Sequence, residues 1–191
     1  VTPYLTIHDD ALRDPWRLRW HATGLSYRGE VAPDGVTYPN VNSDVPNETR
    51  LDLTQLLSQV VESRVDVHLM FFRLNPYGTE VPHWAHTDLL LGQYTGLVYL
   101  SAPEDCQGGT AILRHKSGMD RNPTTEDQVA LWRRDTNRFG EWDIVSVAPM
   151  AFNRLVVMPS DLFHASVPQG FGSTPQDGRL VLISFFSKVG G

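Results

Sequence analysis

Apolar and polar positions follow two different rhythms along the chain. The N-terminal third is helical in texture. Leu12, Trp16 and Trp20 fall about one helical turn apart behind Asp10, a candidate cap, and predict a short amphipathic helix over 10–23 with its tryptophans packed inward. Leu53, Leu56, Leu57, Val60 and Val61 form a second stripe at helical spacing and predict a helix over 53–64. The intervening stretch, 24–47, is rich in Gly, Pro, Asn and Asp and has no period. It reads as a long loop and a candidate lid over a site.

Beyond residue 66 the rhythm changes to short β-branched and aromatic runs bounded by turn residues. Strands are predicted at 67–74, 95–101, 110–115, 144–147, 154–158 and 180–186. A stretch over 117–141 interrupts them, and within it Thr125 and Gln128 have the spacing of a capping box ahead of Val129, Leu131 and Trp132, which predicts one inserted helix. Strands at this density after helices indicate a mainly β fold, a sandwich or jelly roll with helices against one sheet. The expected organisation is a single domain over 1–191, with a helical and lid region over 1–66 and a jelly-roll core over 67–187.

Composition supports that picture and narrows the function. The 191 residues are 41% hydrophobic and 10% aromatic, enough for one sizeable core. A formal net charge of −6 disfavours a nucleic-acid partner, because phosphate binding needs clustered Lys and Arg. The lone Cys106 permits no internal disulfide, so the expected location is a reducing compartment, by default the cytoplasm. Six charges lie within the first 20 residues, at Asp9, Asp10, Arg13, Asp14, Arg17 and Arg19, and no apolar run reaches the roughly 18 residues of a membrane span. Neither a signal peptide nor a membrane helix is expected.

The candidate chemistry centres on His86-Thr87-Asp88 and, much later, His164. On an extended strand residues 86 and 88 would share a side, so an imidazole and a carboxylate can converge on one ion. With His164 as third ligand they make two histidines and one carboxylate, the facial set of non-haem iron(II) oxygenases that leaves open positions for a bidentate oxo acid and dioxygen. Arg179 opens the run Arg179-Leu-Val-Leu-Ile-Ser-Phe-Phe and shares a face with Val181, Ile183 and Phe185. A guanidinium on a core-facing row calls for an anion, and the distal carboxylate of 2-oxoglutarate would fit its planar fork. Arg114, on the strand after Gly109, is the competing anion partner.

The order Pro76-Tyr-Gly, His86-Thr-Asp88, Leu97-Val-Tyr-Leu-Ser, Gly108-Gly-Thr, Asn153-Arg-Leu-Val-Val-Met, His164, Arg179 resembles the prolyl-hydroxylase-like branch of the 2-oxoglutarate and iron(II) dependent dioxygenase superfamily. The resemblance covers roughly 67–187, and the stretch from Tyr99 to Thr110 is similar to uncharacterised bacterial members. It implies a double-stranded β-helix, iron and 2-oxoglutarate as cofactors, and a hydroxylase that releases succinate and carbon dioxide. It also implies that Tyr99 hydrogen-bonds the distal carboxylate of the co-substrate. Here the gap from His164 to Arg179 is longer than in prolyl hydroxylases, filled by 169–178. Retention of Asp88 argues against the related halogenases, which carry a small residue there.

Trp84 is a candidate wall of a substrate pocket or a core residue, and Tyr77 a candidate neighbour of the co-substrate or a turn residue. His83 reads as a loop histidine, His115 as a residue without an acidic partner, and Gly108 and Gly109 as a tight turn with close strand packing. The expected partners are dioxygen and a small-molecule, amino-acid or peptidyl substrate. Two rivals stand beside this reading. A cupin-like metal oxygenase would use the triad without 2-oxoglutarate, and a jelly-roll binding module would bind a sugar or peptide without catalysis.

Overall fold

The computed structural model describes residues 5–32 and 35–190; Pro33 and Asp34, within the expected lid, lie outside the described residues. In chain order the elements are β1 (Thr6–His8), α1 (Pro15–Thr23), β2 (Arg28–Val31), β3 (Thr37–Asn42), α2 (Asn47–Val60), β4 (Val65–Asn75), β5 (Tyr94–Tyr99), β6 (Gly109–His115), α3 (Glu126–Asp135), β7 (Trp142–Pro149), β8 (Leu155–Pro159), β9 (His164–Val167) and β10 (Arg179–Lys188). A seven-stranded sheet runs β1-β8-β5-β10-β4-β3-β2 and faces a three-stranded sheet, β7-β6-β9. The fold is the expected jelly roll.

Alternation along the central strands divides the core. In β4, Met70, Phe72 and Leu74 face the helices, together with Leu180, Leu182 and Phe186 of β10 and Leu53 and Leu57 of α2. The opposite positions of β10, Val181, Ile183 and Phe185, pack between the sheets with Tyr99, Ile112 and Met158. A third cluster, Ala111, Leu113, Trp142, Phe163 and Ala165, lies on the far side of the small sheet. Strands buried on both faces lose the apolar-polar alternation of half-exposed ones, so a polar residue on an inner row of β4 or β10 stands out. Gly108 and Gly109 do allow close packing. A Cβ at Gly109 would lie 1.9 Å from the Ala148 carbonyl oxygen, and one at Gly108, whose φ is +61°, 1.8 Å from that of Val167.

Several elements differ from expectation. The first helix begins at Pro15, with Asp14 rather than Asp10 as its cap, its side chain accepting from the Arg17 amide. That register turns Leu18, Arg19 and Ala22 inward and leaves Trp20 82% exposed, against the expected inward packing, while Trp16 stacks on Phe152 at 4.4 Å. Arg19 is buried and donates to the carbonyls of Leu100, at 3.1 Å, and Gln176. The second helix starts earlier and ends sooner than predicted. Much of the expected lid is the β2–β3 hairpin, which extends the large sheet at β4. Pro39 conceals it in the sequence. Only Val41 and Asn42 of β3 pair with β4, beyond the position where proline lacks a donor. The inserted helix is α3, and Thr125 accepts from the Gln128 amide as its cap, while Gln128 reaches back to Thr124. Among the described residues no helix is long and apolar enough to cross a membrane.

Candidate metal centre

The loop between β4 and β5 and the first residue of β9 bring the metal-ligand candidates together at one end of the sandwich. His86 and His164 form an isolated antiparallel bridge, exchanging backbone bonds of 3.3 and 3.0 Å, so their rings lie side by side with centroids 4.4 Å apart. Asp88 is not on an extended strand, as the sequence suggested. Its φ of −109° and ψ of 17° begin a short 3₁₀ turn at Leu89, and its amide is tied to the Ser160 carbonyl at 2.7 Å. The turn still delivers the carboxylate: Oδ2 lies 3.2 Å from His164 Nε2 and Oδ1 3.9 Å from His86 Nε2. One ligand atom from each of the three residues lies within 4.8 Å of the other two.

Hydrogen bonds behind the ligands aim them. His86 Nδ1 lies 3.0 Å from the Trp84 carbonyl oxygen and His164 Nδ1 3.0 Å from that of Leu162. A carbonyl can only accept, so each Nδ1 carries a proton and each Nε2 is turned inward toward Asp88, with His164 Nε2 donating to its carboxylate at 3.2 Å until a metal takes the proton's place. Thr95 donates to Asp88 Oδ2 at 3.0 Å and is in turn within 3.0 Å of Ser160. Burial works to raise the Asp88 pKa, but the charge and hydrogen bond of His164 outweigh it and hold the carboxyl down to about 2. Burial also holds His86 down to about 4, aided by neighbouring His164. His164 moves the other way, since the Asp88 charge overcomes the opposing effect of burial.

Arg179 begins β10 only 4% exposed, with its guanidinium 5.8 Å above the Tyr99 ring and its buried Nε without a hydrogen-bond partner. Tyr99 is fully buried and its hydroxyl donates to Thr110 Oγ1 at 2.7 Å. Trp84 lines the cleft beside His86 and packs on Phe139 at 4.6 Å. Two candidates stand elsewhere. The Arg114 side chain is 44% exposed and pairs with Asp120 at 3.6 Å, and Tyr77 is 85% exposed in its turn.

The sequence reading passed over the rest of the cleft. It is lined by Tyr38, Arg73, Asn75, His83, His86 and Gln169, among others. Arg73 lies on the inner row of β4, directly across from Val181, and Asn75 lies across from Arg179. Burial, with the like charge of Arg179, lowers the Arg73 pKa to about 10. It remains a cation at neutral pH. The signal was present in Met70-Phe-Phe-Arg-Leu-Asn75, where an arginine interrupts an apolar row as Arg179 does.

A family model described as a family of unknown function, DUF6445, matches residues 2–186. The chain belongs to the DUF6445 family. No curated protein matches its sequence. Among solved structures, the DUF6445 chain is similar in fold to SnoN from nogalamycin biosynthesis, a non-haem alpha-ketoglutarate dependent epimerase, with 16% identity and a TM-score of 0.61 over 96% of this chain and 78% of that one. AviO1 from Streptomyces viridochromogenes is 17% identical, with a TM-score of 0.57 over 98% and 90% of the two chains. HygX from Streptomyces hygroscopicus, crystallised with nickel, 2-oxoglutarate and hygromycin B, is 15% identical with a TM-score of 0.55 over 98% and 84%.

Proposed function

We propose that the protein is an iron(II)- and 2-oxoglutarate-dependent oxygenase acting on a C–H bond of a small molecule or an amino-acid side chain. The observation that carries the reading is the convergence of His86 Nε2, Asp88 and His164 Nε2 at one end of a jelly roll, with an arginine buried nearby that lacks a partner at Nε. Two imidazoles and one carboxylate suit divalent iron and leave coordination positions free. The orphaned Arg179 nitrogen suits the distal carboxylate of a dicarboxylic oxo acid. Similar folds described as alpha-ketoglutarate dependent, or crystallised with 2-oxoglutarate, support the same reading.

In this reading the bridge between His86 and His164 sets two Nε2 atoms side by side, the one on His164 exchanging its proton for the metal, and Thr95 fixes the Asp88 carboxylate that offsets one metal charge. Arg179 would grip the far end of the co-substrate, steadied by the Tyr99 ring beneath it. The Tyr99 hydroxyl, by exchanging donor and acceptor roles with Thr110, could add a second bond there. When bound, iron and 2-oxoglutarate would supply, with dioxygen, oxidation of the substrate carbon as succinate and carbon dioxide are released. Trp84 would shield one wall of the cleft from water.

The test is anaerobic titration of metal-free protein with Fe(II) and then 2-oxoglutarate, watching for the visible charge-transfer band of the chelate. The band should form in the wild type, vanish in Asp88→Ala and require far more 2-oxoglutarate in Arg179→Ala. Metal binding with no band would favour the cupin-like oxygenase, and no metal binding would sink the enzyme reading. The epimerase activity named for SnoN supports a second outcome, hydrogen removal without hydroxylation. The product mass decides, since hydroxylation adds one oxygen and epimerisation adds none.

A further inference from the structure

Arg73 and Arg179 place two guanidinium groups on adjacent strands of one inner face, offset by a single inward-facing position. Arg179 stands behind Tyr99, whereas Arg73 lines the cleft itself, 5.6 Å over the Tyr38 ring and alongside His86. Three polar atoms in that cleft are buried without a partner: Arg73 Nε, Asn75 Oδ1 and Gln169 Nε2. The Asn75 orientation is set by its amide nitrogen, which donates to the Gln169 carbonyl at 3.1 Å. The cleft therefore offers two donors, on Arg73 and Gln169, beside one acceptor, on Asn75.

Charge balance points the same way. A divalent metal with Asp88, Arg73 and Arg179 leaves the site strongly positive, and a dianionic 2-oxoglutarate does not cancel all of it. A neutral primary substrate would leave one guanidinium desolvated without an opposing charge, which is unfavourable for a buried cation. The metal itself neutralises the chelating end of the co-substrate. The second arginine is thus in excess of what the co-substrate needs.

We infer that the primary substrate presents a carboxylate next to a hydrogen-bond donor, the head group of an amino or hydroxy acid, and that Arg73 and Gln169 bind the carboxylate while Asn75 accepts from the neighbouring donor. The inference rests on the reading of Arg179 as the co-substrate anchor, and it makes Arg73 the residue that selects substrate. Tyr38 and Trp84 flank the same opening and would meet the side chain of such an acid.

The experiment is calorimetric titration of the anaerobic Fe(II)–2-oxoglutarate protein with single L-amino acids, L-lactate and the corresponding amides, while the charge-transfer band reports 2-oxoglutarate separately. At least one acid should bind, with its amide weaker by about tenfold or more, as loss of a charged partner predicts. Arg73→Gln should remove that preference and leave the 2-oxoglutarate affinity within about threefold. Gln169→Glu should repel the acid without touching the arginine, which keeps the test open should Arg73→Gln fail to fold. Equal binding of acid and amide, no acid bound while the band forms, or an equal loss of 2-oxoglutarate affinity in Arg73→Gln would each overturn the inference. Absence of the band in the wild type fails the proposed function instead; acid binding to the metal-free protein that depends on Arg73 would still support the carboxylate site.

Discussion

Two buried histidine–aspartate clusters lie in this fold, and they are built to opposite ends. His115 places Nε2 3.2 Å from Asp135 and Nδ1 2.9 Å from Ser117, so both ring nitrogens are engaged. Asp135 is also taken by Arg134 at 2.7 Å and Arg138 at 3.5 Å. The cluster is complete as it stands. At the metal centre, by contrast, each Nδ1 is tied to a carbonyl two residues back, and both Nε2 atoms face the Asp88 carboxylate. Among the described residues no lysine or arginine forms an ion pair with Asp88. Burial and a His–Asp pair therefore do not distinguish a metal site. What sets the candidate site apart is convergence of two Nε2 atoms and a carboxylate on one point, with no lysine or arginine ion-paired there among the described residues.

Substitutions in the two clusters should separate metal affinity from stability. Asp88→Ala should abolish Fe(II) binding, measured by equilibrium dialysis, whereas Asp135→Ala should leave it intact and lower the thermal midpoint by about 5–10 °C through loss of a buried network. Arg179→Ala should weaken 2-oxoglutarate by about a hundredfold, read from the band titration, with metal affinity unchanged. Thr95→Val keeps the shape but removes the hydrogen bond to Asp88, and should cost about tenfold in metal affinity, as loss of an orienting partner does. The pH dependence is gentler still. Because Asp88 holds the His164 pKa above the usual histidine value, a metal must displace that proton. Affinity should rise with pH, by up to about tenfold per unit, until His164 deprotonates, and then level off. His86, already neutral in this window, adds no second step. A flat profile between pH 6 and 8 would break the contrast drawn here.

The central strands were legible because burial on both faces writes long apolar runs, as in β5 and β10. The same rule exposed Arg179, and would have exposed Arg73 had it been applied to β4. Strand β9 escaped because His164-Ala-Ser-Val has too few apolar positions to show a period, and β3 because Pro39 reads as a loop. The candidate metal ligands were picked out by residue type and order alone; the turn at Asp88, which aims one of them, left no trace in the spacing. Asp135 was not matched to His115 because their contact depends on how α3 folds back on the small sheet, a tertiary fact with no local signature.

The buried Arg19 ties the first helix to the carbonyl of Gln176, in the loop that leads directly into Arg179. Anyone shortening the N-terminus to obtain a minimal catalytic fragment should take note. A chain beginning at Gly24 would retain every candidate metal ligand, Arg73 and Arg179, yet would lose the Arg19 tie to the loop that precedes Arg179. Such a fragment, which also loses Leu12, Leu18 and Ala22 from the core, is expected to lose more affinity for 2-oxoglutarate than for iron, an uncoupling of two affinities by a segment that carries none of the candidate site residues.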